Sequence, residues 1–271
     1  MRLRSSLDIL LVPNLRSSAI KASRIVEDKD DIHALFLSEP QDLERYVRRL
    51  VRGQLSFEVF VEQVKSSKLV PEPIGGWLYT SEPILRSLSR LHKHRSELAI
   101  FCYRDTETFQ ETSNVATKIA MMTYRSSAVG KIEAKEWVEA ISELSVRRRE
   151  AIFKEAQYIE SHAGNLGNLC LSGLDGRELM NLLSRAFEKI NIRCVESFYR
   201  FTPIQMLQAR LSRSITEREV EELVKCHLEY VNHYVLRSEN RDVAHYRWTL
   251  DKEPWLRNRI HACEVEQMKV L

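Results

Sequence analysis

Five short, nearly unbroken apolar runs recur along the chain: Ile9-Leu10-Leu11-Val12, Ile32-His33-Ala34-Leu35-Phe36-Leu37, Leu98-Ala99-Ile100-Phe101-Cys102-Tyr103, Leu169-Cys170-Leu171 and Ile192-Arg193-Cys194-Val195. Strands buried on both faces lack polar alternation, which is how the strands of a parallel sheet read. Each run is followed by polar or turn residues and then by a helical pattern. Strand-then-helix alternation predicts right-handed βαβ units.

The helical stretches are better marked. Ser17 or Ser18 is expected to cap a helix reaching about Glu27. Gln41 to Arg52 carries Leu43, Tyr46, Val47, Leu50 and Val51 on one face, and Gly53 stops it. Ser56 opens a second short helix with Glu58, Glu62 and Lys65 outward, and Pro71, Pro73 and Gly75-Gly76 form a loop before a helix from Glu82 to Lys93. The long stretch between the third and fourth runs is mostly helical, with Thr112 to Tyr124 (stripe Val115, Ile119, Met122) and Glu133 to Ser161. Thr216 to Leu236 places Val220, Leu223, Val224, His227, Val231 and Val235 on an apolar face, and Tyr246, Trp248 and Trp255 imply that the residues after Arg237 pack back.

The expected fold is therefore α/β: a short, mostly parallel five-stranded sheet surrounded by many helices, with a large helical insertion and a helical C-terminal tail. The expected division is a core domain over 1–213, with insertions at about 40–95 and 106–163, and a helical segment over 214–271 that packs on it.

Composition narrows the function classes. A hydrophobic fraction of 44% and a charged fraction of 29% exclude a disordered chain, and 8 Gly and 7 Pro argue against an all-β fold with many tight turns. A net charge of +3, from 41 basic and 38 acidic residues, is too balanced for a dedicated nucleic-acid binder. The clusters Arg45/Arg48/Arg49/Arg52, Arg86/Arg90/Lys93/Arg95 and Arg147/Arg148/Arg149 fall on predicted helices and read as solvated faces, so nucleic acid is the least favoured partner. Cys102, Cys170, Cys194, Cys226 and Cys263 show no ligand spacing, which suits a reducing, cytoplasmic setting. The run Leu7 to Pro13, interrupted by Asp8, is too short for a signal core or a membrane span, so no membrane partner is expected.

Ligands of open parallel sheets bind beyond the carboxyl ends of the strands. If the sheet is parallel, Asn14, Glu39, Asp105 and Asp175 converge on one rim. Glu39, Asp105 and Asp175 are the candidate catalytic carboxylates, able to act as acid and base or to hold a divalent metal. The competing reading is that such residues cap the helices they precede. Ser172-Gly173-Leu174-Asp175-Gly176-Arg177-Glu178 is a glycine-bearing strand-to-helix turn of the kind that binds anions, although it meets neither nucleotide fingerprint. Asn14, Ser18, Arg104, Gly173, Gly176 and Arg177 are the candidate ligand-binding residues. His33 and His227 read as structural.

The order and spacing of these pieces resemble the TraB/ChaN/erythromycin-esterase-like superfamily, over most of the chain to about Phe198. The residues that carry the resemblance are Leu11-Val12-Pro13-Asn14 with Ser17-Ser18-Ala19, then Leu37-Ser38-Glu39-Pro40 and Tyr103-Arg104-Asp105. Arg147-Arg148-Arg149-Glu150 opening a helix and Leu171-Ser172-Gly173-Leu174-Asp175-Gly176 complete it. The resemblance implies an α/β fold and hydrolase-like chemistry at the rim. In this sequence Asn14 stands where the family has its first histidine, the last falls on Asp175 or Gly176, and Glu39 is the residue retained.

Without those histidines the rim lacks a base or metal ligand that works near neutral pH. The leading expectation is a non-catalytic or diverged member acting as a small-ligand sensor or a protein-interaction scaffold, with a small anionic ligand or a protein as partner. The first alternative is a metal-assisted hydrolase with a carboxylate-lined pocket. The second is a regulatory domain that binds a nucleotide or nucleic acid. The amphipathic face of Thr216 to Leu236 could also serve a homodimer.

Overall fold

All five apolar runs form strands: β1 (Arg4–Leu11), β2 (Ile32–Pro40), β3 (Ala99–Arg104), β4 (Gly167–Ser172) and β5 (Phe187–Cys194). In the computed structural model, which describes residues 4–211 and 214–258, they build one sheet in the order β3-β2-β4-β1-β5 with every neighbouring pair parallel. Cys263 and His261 lie outside the described residues. The helices are α1 (Arg16–Asp28), α2 (Glu44–Val51), α3 (Phe57–Ser67), α4 (Gly75–His94), α5 (Thr106–Val129), α6 (Ala134–His162), α7 (Gly176–Leu183), α8 (Pro203–Leu211), α9 (Glu217–His233) and α10 (Arg241–Lys252).

Alternation along the strands separates two cores. Leu10, Leu35, Leu37, Ile100, Cys102, Leu169 and Leu171 pack against α1, α2, α3 and α4 through Val26, Val47, Phe60 and Leu88. Leu7, Ile9, Leu11, Phe36, Tyr103 and Cys170 face the other way, onto Ile152, Ala156 and Ile159 of α6 and Leu179 and Leu183 of α7. Each fully buried Leu, Ile or Phe contributes about 1.5–3 kcal/mol, so double-sided burial explains why these runs carry no polar alternation. Gly167 opens β4 where a Cβ would lie 2.2 Å from the carbonyl oxygen of Asp31, so no other residue fits that approach.

The chain divides into two compact units, 1–111 with 148–197 and 112–147 with 198–271. The first contains the sheet. The second is helical, with a core of Met122, Trp137, Ala140, Ile141, Leu207, Val220 and Val224. The division point near 213 expected from the sequence is not where the contacts part. Instead, the middle of the insertion groups with the C-terminal helices. In that unit Trp248 is buried edge-on to Tyr230, whereas Trp255 is half exposed against Phe198.

Several local expectations are corrected. Ser17 and Ser18 do not cap α1; Leu15 occupies that position without a capping side chain. The Gly75-Gly76 pair is the first turn of α4, which runs straight through Pro83. α5 begins at Thr106 rather than Thr112, because Asp105 caps it. β5 starts at Phe187: one of its faces is in solvent, so Glu188 and Lys189 interrupt its start and Ile190 to Cys194 alternates with exposed Asn191 and Arg193. Ser56 does cap α3, accepting from the Val59 N–H, and Thr216 forms a full capping box with Glu219 at α9.

Candidate functional site

β1 and β4 are neighbours, yet the connection after β1 leads towards β2 and the one after β4 leads to β5 on the opposite side. Chain segments therefore diverge from the carboxyl ends of these two strands, the place where open α/β sheets form a crevice. Of the expected rim residues, Asp175 follows β4, Asp105 follows β3 and Glu39 lies near the end of β2.

Arg104, the last residue of β3, and Asp175, in the turn after β4, meet in a buried ion cluster that α6 completes with Arg148 and Glu155. Arg148 grips Glu155 with both terminal nitrogens, Nη1 to Oε1 and Nη2 to Oε2, each at 2.7 Å, and its Nε donates to Asp175 Oδ2 at 2.6 Å. Arg104 lies between the same two carboxylates, with Nη1 3.2 Å from Asp175 Oδ2 and Nε 3.3 Å from Glu155 Oε1. Ser172 Oγ donates to Asp175 Oδ1 at 3.3 Å. Two guanidiniums thus face two carboxylates, and each carboxylate touches both.

Arg148 and Glu155 were missed as site residues. Arg148 was read as part of a solvated basic cluster, yet it is 9% exposed and Glu155 is 1% exposed. A signal was present: 148 and 155 are two helical turns apart, on the stripe of Ile152, Ala156 and Ile159. A charged pair at that spacing on an apolar stripe is a pair that must meet partners inside.

Asp175 stands at the N-cap position of α7 but makes no capping hydrogen bond. Burial pushes its carboxyl up, but the charges of Arg104 and Arg148 and their hydrogen bonds outweigh this and hold it well below the ordinary carboxylate range. Asp105 is a true cap: its Oδ1 accepts from Thr108 N at 3.0 Å and from Thr108 Oγ1 at 2.8 Å. Burial opposes its ionisation, while those two bonds and Lys154, 3.6 Å away, lower its pKa. Asp105 joins the cluster through its backbone N–H, which donates to Glu155 Oε1 at 3.4 Å.

Glu39 sits apart from these bonds, held by α4. Trp77 Nε1 donates to its Oε2 at 2.7 Å and Ser81 Oγ to its Oε1 at 2.6 Å. Burial raises its pKa, and these donors with the charge of Arg104 only partly offset that. It is the one carboxylate of the expected three that shifts towards neutrality.

The ligand-binding candidates scatter. Ser18 is buried and donates to Glu196 Oε1 at 2.7 Å, beside Lys21 bound to the other oxygen at 2.6 Å. That contact ties α1 to the residues after β5. Asn14 and Arg177 are exposed. Gly176 is a packing position: a Cβ there would lie 2.5 Å from Leu11 Cδ2 and 3.0 Å from Ser172 Oγ. Gly173 lies 3.1 Å, at its virtual Cβ, from Asp175 Oδ1, so it leaves room for the carboxylate that Arg104 and Arg148 hold. Among the described residues no three His, Cys, Asp or Glu side chains are grouped as a metal ion would need. Among them, too, no helix is long and apolar enough to cross a membrane.

Comparison with family models, with curated proteins and with solved structures found no match to this chain.

Proposed function

We propose that this chain is a diverged, non-catalytic relative of hydrolase-like α/β proteins that works as a binding module, a small-ligand sensor or an interaction scaffold. The observation that carries this reading is the four-residue ion cluster of Arg104, Arg148, Glu155 and Asp175. A general acid or base must exchange its proton near the working pH. Asp175 is held ionised by two guanidiniums, and Asp105 is occupied as a helix cap. Groups so engaged position backbone and helices rather than exchange protons.

The test is turnover of generic carboxylic esters and phosphoesters, with and without added Mg²⁺, Mn²⁺ or Zn²⁺. The wild-type chain is expected to stay at the background rate in every condition. Turnover that Asp175→Asn or Asp105→Asn abolishes would overturn the proposal.

One observation favours the hydrolase reading instead. Glu39, which matches the retained residue of the resemblance, is buried with a raised pKa, as a general acid requires. Turnover lost in Glu39→Gln but kept in Asp175→Asn would select that reading.

A further inference from the structure

On the first unit, away from the crevice, the C-terminal ends of α2 and α4 and the segment joining α2 to α3 enclose an open groove of about 420 Å³. Its position is set by contacts at both ends of α4. Trp77 and Ser81 near the start of α4 reach Glu39 at the carboxyl end of β2, whereas Arg95 just past its end reaches the backbone of Glu27, where α1 finishes. The groove therefore opens towards the amino edge of the sheet.

Its walls are one-sided in charge. Arg52, Arg86, Arg90 and Lys93 all line it, Leu55 and Phe57 are among its apolar residues, and no Asp or Glu is part of the lining. Arg86 is held from outside by Glu82 at 2.8 Å and by Glu58 at 3.8 Å, with its guanidinium 3.8 Å from the centre of the Phe57 ring. Arg90 is held by Glu27 at 2.8 Å. These two are pre-positioned on separate carboxylates. Arg52 and Lys93 are exposed and have no carboxylate partner among the described residues. Cations in a last helical turn offset the negative end of the helix dipole, which amounts to about half a charge for each helix. Two helix ends do not account for four cations around one apolar floor.

We infer that this groove is a binding site for a soluble organic oligophosphate, such as a nucleoside diphosphate, whose phosphates lie among Arg52, Arg86, Arg90 and Lys93 and whose apolar body rests on Leu55 and Phe57. Guanidinium forks match phosphate oxygens in pairs, and Lys93 adds a mobile point charge. The volume suits one small organic ligand and is in the usual range of such sites, about 300–1,000 Å³. The inference goes beyond the binding-module reading and holds whether or not the crevice is catalytic.

Calorimetric titration of the full chain with ADP, with inorganic pyrophosphate and with a hexaglutamate peptide, at low salt and near physiological salt, tests it. ADP is expected to bind, pyrophosphate to bind more weakly, and Arg52→Ala/Lys93→Ala to weaken ADP at least tenfold. Because both side chains are exposed, the urea midpoint of that variant should fall only by the small loss of two helix-end cations, and Arg52→Gln/Lys93→Gln serves as a second variant with the same expected loss of ADP binding. Lys131→Ala/Lys135→Ala, two exposed cations of the helical unit, should leave ADP binding unchanged. No heat with ADP, equal weakening by the control pair, or tighter binding of hexaglutamate than of ADP would overturn the site. Equal affinity for ADP and pyrophosphate would overturn the apolar seat.

Discussion

The guanidinium of Arg16 donates to the backbone carbonyl of Tyr79 at 3.2 Å, four residues before Pro83. α4 continues through Pro83, and a proline has no N–H to offer the residue four positions earlier. Arg16, at the start of α1, donates to that carbonyl from outside the helix and holds Glu82 at 3.0 Å with its other terminal nitrogen. A side chain from one helix thus bonds to the backbone of another beside its proline.

This relationship makes a coupled prediction. Arg16→Ala should cost about 1–2 kcal/mol, the usual loss for charge-assisted hydrogen bonds to a carbonyl and a carboxylate. In a Pro83→Ala background residue 83 regains its N–H, and the cost of Arg16→Ala should shrink by about half. Urea unfolding of the four proteins in the cycle checks this. Additive losses would show that Arg16 does not act through Tyr79.

The ion cluster at the crevice should respond asymmetrically. Arg148→Met leaves Glu155 and Asp175 short of a buried partner and should destabilise by about 3–5 kcal/mol. Arg148→Met/Glu155→Met removes both charges of the bidentate pair and should cost less than the sum of the single changes. The midpoints of denaturant unfolding decide between the two outcomes.

Asp175 also fixes a direction for acid sensitivity. Its folded pKa lies below its unfolded value, so its stabilisation is full above the ordinary aspartate range near about 3.9 and is lost as pH falls below it. Asp175→Asn should be less stable than wild type at neutral pH, and the gap should close on acidification. A gap independent of pH would contradict the cluster.

Glu39 predicts the opposite slope. Its folded pKa is raised, so the folded state holds the proton longer and stability declines as pH rises from the ordinary glutamate value of about 4.3 to the folded one. Glu39→Gln, which keeps an acceptor for Trp77 or Ser81, should lose that decline. Unfolding midpoints followed across this range would show the two curves converging or crossing as pH rises.

In the helical unit, His227 and His245 are both acid-sensitive, each pushed down to about 4 by burial. The Thr123 hydroxyl gives its only proton to the carbonyl of Ile119 at 2.7 Å, so His227 Nε2, 3.1 Å away, must be the donor to Thr123. Nδ1 is left bare and buried, and burial pushes the pKa down to about 4. A histidine depressed in the folded state costs stability as pH falls from about 6.5 towards 4, by at most about 3 kcal/mol. His227→Gln should remove its share of this slope and leave that of His245, read from unfolding followed by the helical unit's tryptophans, among them Trp137, which lies edge-on to His227 at 5.7 Å.

The strands were legible because burial on both faces leaves β1 to β4 mostly apolar, with few polar interruptions such as Asp8 and His33. β5 was half legible because one of its faces meets solvent: Glu188, Lys189, Asn191 and Arg193 are exposed between partly buried apolar residues. The Gly75-Gly76 pair and Pro83 read as breakers, and local propensity there was overruled by the packing of Trp77, Leu85 and Leu88 and by Arg16. Asp105 followed local rules and caps its helix. Asp175 has the same local setting, but two arginines from distant segments bind it first.

Hydrophobic period alone carries the α/β class, the strand positions and the parallel sense, because these depend on which residues avoid water. Strand order, the diverging connections around β1 and β4, the meeting of Arg104 and Asp175 with Arg148 and Glu155, and the approach of Arg52 to the Arg86, Arg90 and Lys93 face of α4 arise only in three dimensions. Charged side chains choose their partners by proximity in space, and proximity between residues tens of positions apart leaves no periodic trace along a chain.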